Sequence, residues 1–172
     1  ALSLDEVAKN GLKKGLELTQ AKIDNLKNTD ESEYLYAKLL NFLSFRPRTI
    51  KEVRDRLYKY EVKDETRQNS YIEKLRSRGY LDDEAFAKWF VTSRAQNRPR
   101  SLRHLMLELA SHGISRDIAS QVLQGQDDSQ ALRAQISKKS NLPKEKLLAY
   151  LMRHGFSYDL IKAQLDEMGI SE

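Results

Sequence analysis

Prolines and glycines recurring at matched intervals constrain this 172-residue chain more than any other feature. Pro47, Pro99 and Pro143 each precede an apolar series spaced by three and four. The series are Ile50, Val53 and Leu57, then Leu102, Leu105, Met106 and Leu109, then Leu147, Leu148, Leu151 and Met152. Such spacing gathers apolar groups on one helical face. Proline suits the first turn of a helix, where a missing N–H has no partner to lose. Gly113 and Gly155 fall where the second and third of these helices should end, and Gly79, Gly125 and Gly169 close a following set. Shifted by 42 positions, residues 101–124 overlay 143–166 with seven identities, among them His112/His154 and Gly113/Gly155. Shifted by 52, Arg46-Pro-Arg-Thr49 overlays Arg98-Pro-Arg-Ser101.

The period predicts an all-α fold: an elongated array of three tandem three-helix repeats, over 33–81, 82–126 and 127–172. In the first, Glu61 stands where the glycine would fall, followed by a polar insertion over 62–69. An apolar stripe opens each unit, with Phe86, Trp89 and Phe90 read as core in the second. Residues 1–32 read as the remnant of a small N-terminal module, with a helical turn over 5–9 and Gly11 and Gly15 beyond it. A first residue of Ala rather than Met suits a fragment.

No catalytic site is visible. Cysteine is absent, which excludes disulfides, thiolate nucleophiles and cysteine-ligated metal centres. His112 and His154, each just before a glycine, suit the negative end of a helix dipole better than metal ligation. Asp82-Asp83-Glu84 reads as an N-cap followed by two acids favouring a helix start. No glycine-rich phosphate loop, metal or cofactor motif appears. No apolar run is long enough to span a membrane, and the chain is expected to be cytoplasmic and monomeric.

Charge is the informative property. The net charge is only +5, yet three stretches are strongly basic: 46–60, 94–107 and 133–146. Each falls between the first and second helices of its repeat. Stacked repeats would align these junctions into a basic stripe suited to phosphates or an acidic groove. Any one such cation could equally be part of a solvated face. The candidate contact residues are Arg46, Arg48, Lys51, Arg98, Arg100, Arg103, Lys138 and Lys139. Tyr58, Tyr60 and Tyr80 lie near helix ends, where stacking on bases competes with plain structural roles.

The run Arg46-Pro-Arg-Thr-Ile-Lys-Glu-Val-Arg-Asp-Arg-Leu57, with Tyr71-Ile-Glu-Lys-Leu-Arg-Ser-Arg-Gly-Tyr-Leu-Asp-Asp-Glu-Ala-Phe-Ala87, resembles the RecX family of bacterial recombinase regulators. Residues 100–109 and His112-Gly-Ile114 resemble that family's second repeat, and Leu12-Lys-Lys-Gly-Leu-Glu-Leu18 its N-terminal module. The resemblance implies a non-enzymatic protein, without cofactor, that acts in DNA repair, recombination and the SOS response. Its implied partner is the RecA filament on single-stranded DNA, with weaker direct DNA binding. It would lie in the filament groove and restrain ATPase, strand exchange and coprotease activities. Leu142-Pro-Lys departs from the Arg-Pro-Arg pattern, so the third repeat resembles the family least. The competing readings are a stand-alone helical DNA-binding module and a pure interaction scaffold.

Overall fold

A computed structural model describes residues 4–14 and 16–170, and every described element is helical. Residues 1–3 and Gly15 of the expected N-terminal module, and residues 171 and 172 of the expected third repeat, lie outside the described residues. The helices are α1 (Leu4–Lys9), α2 (Gln20–Ser44), α3 (Ile50–Lys59), α4 (Glu65–Ser77) and α5 (Asp83–Asn97). They continue with α6 (Leu102–Ser111), α7 (Arg116–Leu123), α8 (Ser129–Lys138), α9 (Lys144–Arg153) and α10 (Tyr158–Glu167).

The chain divides into two bodies. The first comprises Ala1–Arg46 and Val53–Tyr80; the second comprises Pro47–Glu52 and Leu81–Glu172. In the first, Thr19 caps α2 by accepting from the Lys22 N–H. No glycine or proline follows before Pro47, so α2 runs unbroken past the expected boundary between residues 32 and 33. It buries Leu35, Tyr36 and Leu39, while α4 buries Tyr71, Ile72 and Leu75. The stretch expected as a polar insertion is mostly helix. Asp64 caps α4 at 2.6 Å from the Arg67 N–H, and the buried Gln68 amide donates to the Val62 carbonyl at 2.8 Å. One polar side chain satisfied inside the fold made helical sequence look like a loop.

The second body holds two three-helix sets, each with its own core. In α5–α7, Phe86, Ala87, Phe90 and Val91 meet Leu105, Leu109 and Leu123. In α8–α10, Leu132 and Ile136 meet Leu147, Leu151, Ile161 and Leu165. Trp89 is the departure from the expected core. It is 38% exposed, because the buried stripe of α5 follows 86, 87, 90 and 91 and leaves its ring at the margin, 5.6 Å from Phe86.

The prolines do not occupy the first turns expected of them, nor are all three equivalent. Pro47 and Pro99 sit two residues ahead of the hydroxyl residues Thr49 and Ser101, whose side chains accept the Glu52 and His104 N–H groups. Pro143 itself stands at the N-cap of α9 and aligns with Ser101, not with Pro99. The prolines straighten the approach; in the first two repeats the hydroxyl makes the cap.

Helix two of every repeat ends on a left-handed residue: Glu61 at φ 62°, Gly113 at 85° and Gly155 at 83°. At Gly155 the lack of a side chain matters twice over. A Cβ there would fall 2.6 Å from Ser101 Oγ and 3.0 Å from His104 Nδ1. Gly125 has a similar φ of 76° but open space around it. We expect Gly125→Ala to lose about 1 kcal/mol, from backbone strain alone. Gly155→Ala should lose at least about 2 kcal/mol, since the buried Ser101 contact must also give way. Urea unfolding of both variants checks the difference, and equal losses would contradict it.

Candidate functional site

The starts of α3 and α6 are built alike, and both lie within the second body. The Thr49 hydroxyl, fully buried, donates to the His112 carbonyl at 2.8 Å. Ser101, also fully buried, donates to the His154 carbonyl at 2.6 Å. Each hydroxyl therefore satisfies the first turn of its own helix and the last turn of the helix two that follows in sequence. The first N–H of each helix is satisfied as well. Ile50 donates to Asp83 Oδ1 at 2.9 Å, and Leu102 to Asp128 Oδ1 at 2.6 Å.

Two aspartate pairs divide this work. Asp82 caps its own α5 through the Glu84 and Ala85 N–H groups, and Asp83 reaches away to α3. Asp127 accepts the Ser129 N–H of α8, and Asp128 reaches away to α6. Reading Asp82-Asp83-Glu84 as a cap plus dipole complement captured the first function and missed the second. The signal was present: Asp-Asp recurs at 127–128, again at the opening of a helix one.

Histidines complete the joints. His104 Nδ1 lies 2.5 Å from the His154 carbonyl and so carries its proton there, and His154 Nδ1 donates likewise to the Tyr150 carbonyl at 2.7 Å. His112 packs against the Phe86 and Phe90 rings and meets Glu52 at 3.2 Å. Each is occupied in holding helix ends. Among the described residues no three His, Asp or Glu side chains gather as a metal site would require.

The predicted cations fall into two groups. Arg48 is largely covered, its side chain 18% exposed and 3.8 Å from Glu52. Lys51 lays its stem over Gly113 and donates to the Ser111 carbonyl at 2.7 Å, neutralising the end of α6. Arg100 shares Glu108 with Arg94, at 3.7 and 2.6 Å. Lys139, at the C-cap of α8, lies 5.6 Å from the Tyr150 ring centroid. Arg46 follows the C-cap of α2 in the first body and is half-buried. Arg98, Arg103 and Lys138 differ: each is exposed, and no described residue takes up its charge. Arg98 stands at the C-cap of α5, and the Cβ of Arg103 approaches Gly155, where Lys51 covers Gly113 with more of its stem.

Within the second body the structure brings two of the basic stretches together. Gln135 donates to the Pro99 carbonyl at 2.8 Å and accepts from the Tyr150 hydroxyl at 3.1 Å. Lys139 lies one turn beyond Gln135 on the same ring, so the loop carrying Arg98 and Arg100 is tethered beside the basic end of α8.

Helices in tandem threes, with helix ends joined by buried hydroxyls inside the second body, define a class of all-α helical-repeat proteins. The comparisons say which. A family model described as the second three-helix domain of RecX matches residues 82–123, and one for its first three-helix domain matches 36–69. The regulatory protein RecX of Bacillus licheniformis is 31% identical over 97% of this chain and 67% of its own length. That of Listeria monocytogenes is 30% identical over 96% and 66%. A crystal structure of RecX from Lactobacillus salivarius superposes with a TM-score of 0.70 at 25% identity, covering 83% of this chain and 99% of that one. Another, of a regulatory protein RecX, gives a TM-score of 0.74 at 20% identity over 96% and 88%. The chain belongs to the RecX family of regulatory proteins, and it spans about two thirds of the length of these curated relatives. No described helix is long and apolar enough to cross a membrane.

Asp128 gives the joint a measurable signature. Burial pushes its carboxyl above the usual range and the Asp127 charge adds to this, against the lowering pull of the Leu102 N–H. The folded chain thus holds this proton more tightly than the unfolded chain does. That contribution to stability is complete below about pH 4 and is lost as pH rises through the folded value. Asp128→Asn keeps an acceptor for Leu102 without the half-buried charge. We expect the Asn variant to gain on the parent as pH rises from about 4 to 7. Asp128→Ala should lose about 1 kcal/mol at neutral pH. Urea titrations at several pH values check both, and an Asn-minus-parent difference independent of pH would contradict the first.

Proposed function

We propose that this chain regulates a RecA-type recombinase by binding its filament on single-stranded DNA, without itself catalysing a reaction. The setting would be the cytoplasm. Family membership supports the regulatory role. The observation that carries the contact site is the exposed, unneutralised trio Arg98, Arg103 and Lys138 in the second body. Arg48, Lys51 and Arg100 are engaged within the fold, so their first duty is to the helix joints. A filament groove offers phosphates and acidic side chains, and cations not already paired bind them without first breaking an internal contact. Lateral binding there would restrain ATP hydrolysis, strand exchange and coprotease activity together, since all three need the extended filament.

The test is single-stranded-DNA-dependent ATP hydrolysis by RecA with and without this chain. We expect hydrolysis to fall as the chain is added. With Arg98→Glu/Arg103→Glu, the concentration for half-inhibition should rise at least tenfold, each lost contact costing about 1–3 kcal/mol. Unchanged hydrolysis at stoichiometric excess of folded chain would overturn the proposal. Tight binding to bare DNA without any effect on RecA would instead favour a stand-alone DNA-binding module.

A further inference from the structure

Between the two three-helix sets of the second body lies a cavity of about 240 Å³. Val91 and Leu105, both buried, form its floor with Leu102. Ala95, Ala131 and Ala134 line its walls, and the exposure of Ala95 and Ala134 leaves its mouth open to solvent. The alanines have a counterpart in the sequence. Shifted by 45, residues 82–91 overlay 127–136: Asp83 falls on Asp128, and the buried Ala87 and Val91 fall on the buried Leu132 and Ile136. In that register Phe86 and Trp89 of α5 fall on Ala131 and Ala134 of α8. Helix one of the second repeat thus carries two rings, 5.6 Å apart, where helix one of the third presents methyl groups to a cavity. An apolar cavity of about 150 Å³ already admits benzene, so this one has room for an aromatic side chain.

The charged residues that line the cavity are Arg100 and Asp127. Arg100 Nε stands 3.7 Å from Glu108 Oε1, beyond hydrogen-bond reach, while Arg94 holds the other Glu108 oxygen at 2.6 Å. The Arg100 guanidinium therefore keeps donors for a carboxylate arriving from outside. Asp127 accepts the Ser129 N–H at 2.8 Å, and its charge restricts an incoming acid to the Arg100 side. We infer that this cavity seats an aromatic side chain of a protein partner, with an acidic residue next to it in the partner paired to Arg100. Gln126 and Gln130, exposed at the mouth, offer amides to the partner's backbone. An aromatic anchor in a pocket with a polar rim is how protein interfaces concentrate their binding energy. A nucleic-acid strand fits less well, because its phosphates would meet Asp127. The inference goes beyond the filament reading, and its test omits RecA, so either can fail alone.

The experiment is amide NMR of the full chain titrated with the blocked dipeptide acetyl-Trp-Asp-amide, with acetyl-Ala-Asp-amide and acetyl-Trp-Asn-amide as controls. Saturable shifts should appear at Ala131 and Ala134 at about 1–10 mM dipeptide, the range open to so small a ligand. The Ala dipeptide should bind at least about fivefold more weakly. The parent should prefer Asp over Asn by about fivefold, and Arg100→Gln should remove that preference. Ala134→Trp restores a ring that the second repeat carries and should abolish the shifts. No saturable shift at the two alanines, equal binding of the Trp and Ala dipeptides, or unchanged shifts in Ala134→Trp would overturn the inference. So would shifts there that follow chain concentration alone, which would seat a second copy of the chain. The dipeptide comparison uses the parent chain, so it decides even if Ala134→Trp melts early.

Discussion

A buried hydroxyl at the start of each of two helices governs this molecule. Thr49 and Ser101 accept an N–H of their own first turn and donate to the carbonyl of the histidine that ends the next helix two. Helix termini leave polar groups unsatisfied, and burying one unpaired costs about 1–3 kcal/mol. A single fully buried oxygen settles two such debts from different helices. Close approach is the condition, which is why the C-capping glycine must be bare on the side facing Ser101. Neighbouring features follow the same geometry. Asp83 and Asp128 turn away from their own helices to take the first N–H of α3 and α6, which the hydroxyl does not bind.

This arrangement also sorts the cations. A basic residue beside a helix C-terminus is drawn to the carbonyls there, and Lys51 has been taken up in that way. Its counterpart Arg103 brings its Cβ up to the equivalent glycine, yet its charge stays exposed. Two residues with matched places in the repeat thus differ: the charge of one is engaged inside the fold, and that of the other is exposed. Counting basic residues per junction cannot make that distinction; tracing each charge to its neighbours does.

The all-helical fold and its repeats were legible because apolar spacing and most of the glycine punctuation recur from unit to unit, at intervals of 52 and 42 residues. The left-handed turn at Glu61 was half legible: its alignment with Gly113 showed where a glycine belonged, and φ confirms the conformation without the residue. Features that depend on long-range satisfaction were not legible. Nothing local says that Gln68 is buried or that Trp89 escapes the core, and the recurring Asp-Asp pair hints at a second role without saying which helix it serves. For the candidate surfaces, residue type located the basic junctions, but which charges remain open is a property of packing.

Amide hydrogen exchange at Ile50 and Leu102, followed by NMR in the full chain, tests the central interaction most directly. These N–H groups open their helices, where an ordinary helix leaves the amide to solvent and exchange is fast. Held by Asp83 and Asp128, both should exchange at least about a hundredfold more slowly than an unstructured amide, in the range of amides deeper in the same helices. Exchange of either at the unprotected rate, with the rest of its helix protected, would contradict the joint on which the structure is argued to depend.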